Sequence, residues 1–409
     1  MSEGLEDLRG RTVLFGVTGG IAAYKAVDVV SRLRERGADV HVIMTEAATQ
    51  LVRSLTFRTL SANPVYTDMF DEPRVWNVQH IALAERGDIL AVIPATANIM
   101  AKAAAGIADD FLSTLLVAFD GPRLMAPAMN PGMWNNPATQ RNRRQLEDLG
   151  FTVVEPDCGR LASGASGRGR LPPGEVLEEE ISSLLHADDA LAGRRVLVTA
   201  GPTREYFDPV RFLTSPSSGK MGYALARAAR ERGARVDLVS GPVNLASPRG
   251  VRCHQVVSAS DMLSTCLTLW PEMDILLMAA AVSEYRPAEY RSDKISKTSG
   301  DDLGPMTSTP DIISTLSQYK EGRFVLGFAA ETGDEELALG RAEAKLVRKG
   351  MDTIVLNIVG GERGGFASDL NRAVLIDSGG REELPMMHKR SLARLIVDRV
   401  VLRIGEGSR

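Results

Sequence analysis

The pentapeptide Arg-Glu-Arg-Gly-Ala occurs twice in this chain, at Arg34–Ala38 and again at Arg230–Ala234. Each copy follows an apolar run that breaks at a glycine turn, TVLFGVTGG from Thr12 to Gly20 and RVLVTAGPTRE from Arg195 to Glu205, and each is followed by a further apolar run. The first copy reads as a strand over Val13–Val17, a helix over Ile21–Arg36 with Val27, Val30 and Leu33 at helical spacing, and a strand over Val40–Met44. Gly37 is placed as the helix C-cap. A β-turn-α-β unit used twice predicts an α/β chain with two Rossmann-like domains, each a mainly parallel sheet flanked by helices. At about 100–200 residues per domain, 409 residues fit this count. The stretch Leu171–Gly193 opens on a Pro-Pro-Gly break and carries an acidic helix, which places the boundary near residue 190, between domains 1–190 and 191–409.

Charge narrows the partners. A net charge of −4 supplies no basic field for nucleic acid, so a phosphorylated small molecule is the better expectation. Three cysteines without a CxxC pair, and five scattered histidines, argue against a disulfide framework or zinc site. The first residues, MSEGLEDLRGR, lack the apolar run of a signal peptide, and the apolar stretches are too broken for a membrane span; a cytoplasmic protein is expected.

The first half places polar chemistry at strand ends. The turn Gly16-Val17-Thr18-Gly19-Gly20 lacks the GxGxxG spacing of dinucleotide folds, and the second strand ends in Met44-Thr45 without an acidic residue at its close. Two readings remain: a tight turn with no ligand, or a mononucleotide phosphate held by turn amides and the Thr18 and Thr45 hydroxyls. A strand over Asp88–Ile93 breaks into Pro94-Ala-Thr-Ala-Asn98, and one over Arg123–Met125 breaks into the Pro127–Trp134 loop, PAMNPGMW. Parallel strands ending in Pro-x-x-x-Asn and Pro-x-x-Asn loops place Asn98 and Asn130 at one crevice.

GVTGGIAAYK, the His80-Ile81 pair, PATAN and PAMNPGMW, in this order, resemble the flavin-dependent cysteine decarboxylases, whose bacterial members include phosphopantothenoylcysteine decarboxylase. The resemblance covers roughly residues 10–180. It implies FMN in the crevice, with its phosphate near Gly16, Thr18, Gly19, Gly20 and Thr45 and its ring near Thr96, Asn98 and Met133. The flavin oxidises the substrate thiol so that the carbanion left by carbon dioxide is delocalised. His80 is then the base or thiolate holder, and Asn130 clamps the substrate carboxylate. A glycine- and serine-rich stretch, Pro156–Leu171, reads as a mobile flap. Where the family's flap carries a proton-donating cysteine this chain has Ser163, so Cys158, Ser163 or water supplies that proton.

In the second half a long insertion, GPTREYFDPVRFLTSPSSGKMG, separates the strand at Val196 from the next helix. Its end, Ser217-Ser218-Gly219-Lys220, sets amides and hydroxyls at a helix start, an anion site that lacks P-loop spacing. Buried strands at Ile275–Ala281 and Phe324–Phe328 run into AAVSEYRP and GFAAET, and the last strand read from the pattern is Thr353–Leu356, ending at Asn357. AGPTRE, DPVR, SSGKMG, AAVSEYRP, KISK and GFAAET together resemble bacterial phosphopantothenate-cysteine ligase over about residues 190–400. The resemblance implies a CTP site of Ser217, Ser218, Gly219, Met278, Ala279, Ala280, Glu284, Lys294, Thr309, Pro310, Asp311, Ile312, Phe328, Lys345 and Lys349, with Mg2+ on the triphosphate and Lys294 in catalysis. Metal ligands are not assigned. Ser215 stands where the family commonly has an asparagine linked to turnover of the acyl intermediate.

Both resemblances together imply one bifunctional enzyme of coenzyme A biosynthesis. It joins L-cysteine to 4'-phosphopantothenate through an acyl cytidylate, then decarboxylates 4'-phosphopantothenoylcysteine to 4'-phosphopantetheine. They also imply a homo-oligomer, a dodecamer in full-length relatives. One alternative is a ligase whose flavin half is slow or regulatory, because of Ser163. Another, a nicotinamide oxidoreductase, lacks the fingerprints it needs.

Overall fold

Apolar residues on both faces of the central strands set the layers. In β1 (Thr12–Val17), Val13, Phe15 and Val17 join one buried cluster and Leu14 joins another. A strand with two apolar faces is stable only between two helical layers, the condition of a parallel sheet. The computed structural model describes residues 8–69, 79–161, 164, 166–295, 304–358 and 369–407. It divides into two compact units, Met1–His186 and Ala187–Arg409.

In the first unit β1 is joined by β2 (Asp39–Met44), β3 (Val65–Tyr66), β4 (Ile89–Ala95), β5 (Arg123–Pro127) and β6 (Phe151–Val153), while β7 (Asp157–Arg160) and β8 (Ser166–Arg170) pair apart from this sheet. Within the sheet all neighbours pair in parallel, in the order β3-β2-β1-β4-β5-β6. The chain reverses direction across the sheet between β1 and β4, where the strand ends open the ligand crevice of such sheets. The helix Ala23–Glu35 buries Ala23, Ala26, Val29, Val30 and Leu33 against one face, an i, i+3, i+6, i+7, i+10 stripe. It begins two residues later than the sequence pattern predicts and closes on Gly37, whose φ of +88° only glycine adopts freely.

The second unit repeats the plan on a wider sheet. Here β9 (Arg195–Ala200) is followed by the short strands β10 (Arg204–Tyr206) and β11 (Phe212–Thr214), then β12 (Arg235–Ser240), β13 (Arg252–Gln255) and β14 (Ile275–Met278). Two more short strands, β15 (Tyr285–Pro287) and β16 (Met306–Ser308), precede β17 (Phe324–Glu331) and β18 (Thr353–Ile358). The parallel core runs β13-β12-β9-β14-β17-β18, and β19 (Leu370–Asp377) and β20 (Gly380–His388) add an antiparallel edge. Val196, Val198 and Ala200 of β9 face one core and Leu197 the other.

Three segments differ from the sequence reading. The long insertion after β9 is ordered in part as an antiparallel ribbon, β10 on β11, with Arg204 stacked 4.7 Å over the Phe212 ring. The glycine-rich flap pairs as a hairpin of two strands, Asp157–Arg160 and Ser166–Arg170. Its glycines serve close approach: a Cβ on Gly169 would lie 2.1 Å from the Met129 carbonyl oxygen, while the Met129 amide donates to the Gly169 carbonyl at 3.0 Å. Finally, the sheet continues past Asn357 through β19, β20 and the long helix Lys389–Gly407.

Candidate active sites

In the first unit three turns converge at the C-terminal edge of the sheet. The Thr18 hydroxyl, buried at the end of β1, donates to the Pro94 carbonyl at 2.7 Å and accepts from the Thr96 amide at 3.1 Å. That hydroxyl proton is committed to fastening the turn after β1 onto the break after β4, a structural task distinct from the phosphate contact expected of it. A Cβ on Gly20 would meet Thr96 Cγ2 at 3.5 Å and the Ala128 carbonyl at 3.8 Å, so the turn also borders the loop after β5. Gly19 packs on the first turn of the helix Glu46–Thr49, where a Cβ would fall 2.4 Å from that of Ala47. Thr45 and Thr96 are both N-caps, accepting from the amides of Ala48 at 3.3 Å and Ile99 at 3.4 Å. Each keeps a hydroxyl proton to offer outward. Gly19, Gly20, Thr45 and Thr96 therefore gather at one edge, with amides suited to a phosphate.

Around this edge Asn98, Asn130 and Met133 are exposed. Asn130 Oδ1 accepts from the Gly132 amide at 2.9 Å, which fixes the start of the helix Pro131–Trp134. Gly16 does not join them. It faces the core, where a Cβ would sit 2.7 Å from Leu112 Cδ1. His80 lies on the helix Gln79–Arg86 with its ring edge-on to Phe111, centroids 6.2 Å apart. Cys158 is exposed in the flap, in register with Arg168 on the other strand, and Ser163 lies outside the described residues.

The second unit holds a cavity of about 480 Å³ at the C-terminal ends of β14 and β17, bordered by Ile354 and Asn357 of β18. Ser217, Ser218 and Gly219 line it where the helix Lys220–Glu231 begins; Met278, Ala279, Ala280 and Glu284 line it after β14. Thr309, Pro310, Asp311 and Ile312 enter ahead of the helix Ile312–Ser317, Phe328 comes from β17, and Lys345 and Lys349 come from the end of the helix Glu335–Arg348 and its cap. The Thr309 amide donates to the Glu284 carbonyl at 3.0 Å and its hydroxyl to the Ser283 carbonyl at 2.5 Å, stitching two lining segments together.

Both lysines of this wall are paired. Lys345 Nζ donates to Glu331 at 2.7 Å and Lys349 Nζ lies 3.1 Å from an Asp311 oxygen. Burial pushes the Glu331 carboxyl up, and Lys345 and Arg341 more than offset it, leaving it below its ordinary value. The Asp311 carboxyl is likewise raised by burial but ends low through the Ser314 amide and Lys349.

Lys294 is not among the cavity-lining residues. It is exposed, beside the inward-turned Ile295, on a segment held by the fully buried Asp208. Asp208 accepts from the amides of Val210 and Arg211 at 2.7 Å each and from that of Ile295 at 3.1 Å, while Arg211 donates to the Ile295 carbonyl at 2.6 Å. DPVR thus anchors Ile295 next to Lys294, a partnership that spacing along the chain does not reveal. Lys220, named from sequence in the helix start, lines the cavity as well, and so do Asn371 and Lys389, which were not singled out from sequence. The apolar stripe Leu392, Ile396 and Val400 signals the helix that Lys389 opens. Among the described residues no group of three or more His, Cys, Asp or Glu is placed to hold a metal ion, and no helix is long and apolar enough to cross a membrane.

A flavoprotein unit followed by a second α/β unit with a nucleotide-sized cavity defines a class, and comparison with known proteins gives the same division. Residues 1–186 match the Flavoprotein family and residues 191–403 match the DNA/pantothenate metabolism flavoprotein C-terminal domain. The chain belongs to the family of coenzyme A biosynthesis bifunctional proteins (CoaBC): it is 44% identical to the Bacillus subtilis member over 93% of this chain and 94% of that protein. It is also 44% identical to the Mycobacterium bovis member over 96% of both. A solved structure of the C-terminal domain of a CoaBC protein, 36% identical, covers 54% of this chain and all of that one with a TM-score of 0.46. A flavin is the cofactor of such a flavoprotein.

Proposed function

We propose that this chain joins L-cysteine to 4'-phosphopantothenate with CTP in the second unit and decarboxylates the resulting 4'-phosphopantothenoylcysteine in the first. The observation that carries the reading is the cavity of the second unit, which gathers every residue of the ligase motifs assigned to the nucleotide except Lys294. Family membership over nearly the full chain supports both activities on one polypeptide.

In the ligase the carboxylate of 4'-phosphopantothenate attacks the α-phosphate of CTP and expels pyrophosphate, and the cysteine amine then attacks the acyl carbon of the cytidylate and displaces CMP. Amides at Ser217–Gly219 and the lysines of the cavity wall receive the phosphates, with Mg2+ accompanying the nucleotide. In the first unit the flavin is FMN. The convergent turns at Gly19, Gly20 and Thr45 suit its phosphate, and Thr96, Asn98 and Met133 border its ring. Bound there, FMN supplies the two-electron oxidation of the substrate thiol that lets the neighbouring carboxylate leave. Asn130 holds that carboxylate, His80 handles the thiol proton, and Cys158 or Ser163 returns a proton from the flap. The protein works in the cytoplasm as a homo-oligomer and needs neither nucleic acid nor membrane.

The test is to supply 4'-phosphopantothenate, L-cysteine, CTP and Mg2+ to the purified protein and follow products by mass. 4'-Phosphopantetheine is the expected product. Accumulated 4'-phosphopantothenoylcysteine would instead assign a competent ligase with a slow flavin half, and neither product would overturn the reading.

A further inference from the structure

His80 lacks the partners that usually fix an imidazole. Among the described residues its side chain makes no hydrogen bond or ion pair, and its ring contact is Phe111, with centroids 6.2 Å apart and planes at 90°. Rotation about χ2 of a histidine has broad, two-fold minima, so a ring without partners does not hold its nitrogens in one direction. An edge-to-face neighbour restricts it, because the positive edge of one ring seeks the negative face of the other. Phe111 is itself well held. It is buried at the start of the helix Phe111–Ala118, where the Asp110 carboxylate caps the Ser113 amide at 2.8 Å and accepts from Lys102 Nζ at 2.7 Å. Tyr66 of β3 stacks on the Phe111 ring, with centroids 5.5 Å apart and planes at 27°, and the buried His41 ring of β2 lies 6.4 Å from Tyr66. His41 Nε2 in turn faces Asp39 at 3.1 Å. A row of rings thus runs from the edge of the sheet to His80.

We propose that Phe111 is a positioning residue for decarboxylation: its ring fixes the plane of the His80 imidazole, and so the direction in which His80 meets the thiol proton of the substrate. This rests on the reading of His80 as the residue that handles that proton. A carboxylate in the place of Phe111 would commit one imidazole nitrogen and favour the charged ring. An aromatic holder does neither. It orients the imidazole through the π-system and leaves both nitrogens uncommitted, which suits a group that takes up a proton and gives it back.

Phe111→Leu in the full, flavin-loaded chain tests this with supplied 4'-phosphopantothenoylcysteine. Loss of one aromatic pair shifts the ring orientation by about two- to ten-fold, so kcat for carbon dioxide release should fall by that factor while KM holds. Flavin retained per chain and CTP-dependent ligation should match the wild type. Phe111→Tyr, which keeps the ring, should restore kcat, and Phe111→Met carries the expectation of the leucine variant if that variant does not fold. A crystal structure of the slow variant should show the His80 ring turned from its wild-type plane or in more than one orientation. A wild-type kcat in flavin-loaded Phe111→Leu, a Phe111→Tyr as slow as Phe111→Leu, or an unmoved His80 ring in the slow variant overturns the inference and leaves the reading of His80 standing. Full carbon dioxide release from His80→Gln overturns that reading itself.

Discussion

Arg36 reaches 142 residues along the chain to Glu178, donating at 2.7 Å, and both side chains are buried. It also donates to Ser182 at 2.8 Å, so one guanidinium clamps the helix Gly174–Leu185 onto the helix Ala23–Glu35. Its counterpart in the second pentapeptide, Arg232, pairs with Asp188 and with Asp398 on the helix Lys389–Gly407, and its neighbour Glu231 accepts from Arg394 at 2.8 Å. The repeated pentapeptide is thus a helix stop whose charged residues fasten a later helix of the same unit.

Arg36→Leu should destabilise the first unit by about 3 kcal/mol, the low end for breaking a buried pair, because Glu178 then has only the longer 3.9 Å approach of Arg32 among the described pairs. Urea unfolding followed by flavin fluorescence reads this unit by itself. The double variant Arg36→Leu/Glu178→Leu should recover most of the loss, and a double variant as unstable as the single would rule out the clamp as a charge pair.

Thr18→Val keeps the side-chain shape and removes the bridge between the Pro94 carbonyl and the Thr96 amide. Leaving two buried backbone groups without it costs about 1–3 kcal/mol each. The purified variant should retain less flavin, measured as visible absorbance per chain, while nucleotide binding in the second unit is unaffected.

Gly169→Ala forces a methyl group onto the Met129 carbonyl, which cannot yield without moving the Asn130 loop. Decarboxylation of supplied 4'-phosphopantothenoylcysteine should fall at least ten-fold, an effect of order 1.4 kcal/mol on the barrier. Ligation should stay at the wild-type rate. Equal turnover in both assays would show that the flap does not position the substrate loop.

Lys294→Gln should abolish CTP-dependent ligation and leave carbon dioxide release from supplied 4'-phosphopantothenoylcysteine intact. Parallel loss of both would mean that the two activities do not occupy separate sites.

Acid should loosen the second unit through Glu331 and Asp311. Both carboxyls lie below their ordinary values of 4.5 and 3.8 in the folded chain, so their contribution is complete above those values. It is lost as pH falls through the lower folded values, where the folded state must take up protons. Stability measured from pH 5 downward should therefore decline, and Glu331→Gln with Asp311→Asn should flatten the decline.

The strands were legible because β1, β4 and β9 are apolar on both faces, a pattern set by local periodicity. Thr45 and Thr96 were legible as turn residues near a ligand edge, and their capping of the next helices is seen only in the fold. The pairing of the flap was not legible because Gly167 and Gly169 read by composition as a loop, whereas here the missing Cβ permits contact with Pro131 and Met129. Thr18 was visible as a polar residue in a turn, but its partners lie 76 and 78 residues away, and only the fold shows that its proton is already engaged. Lys389 escaped because nothing near it in sequence resembles a binding motif; it opens the helix that follows β19 and β20, strands whose alternating polar residues weaken the apolar signal.

The helix clamps also order events in time. A chain emerging from the ribosome can form the strand and helix of the first pentapeptide early, yet Arg36 must wait for Glu178, 142 residues later. Arg232 waits 166 residues for Asp398. Closing contacts of such long range is slow, and domains fold as units during synthesis. The flavin unit can therefore be latched while most of the second unit is still being translated, and the cavity of the second unit, which is lined by Lys389 from that same late helix, is completed last.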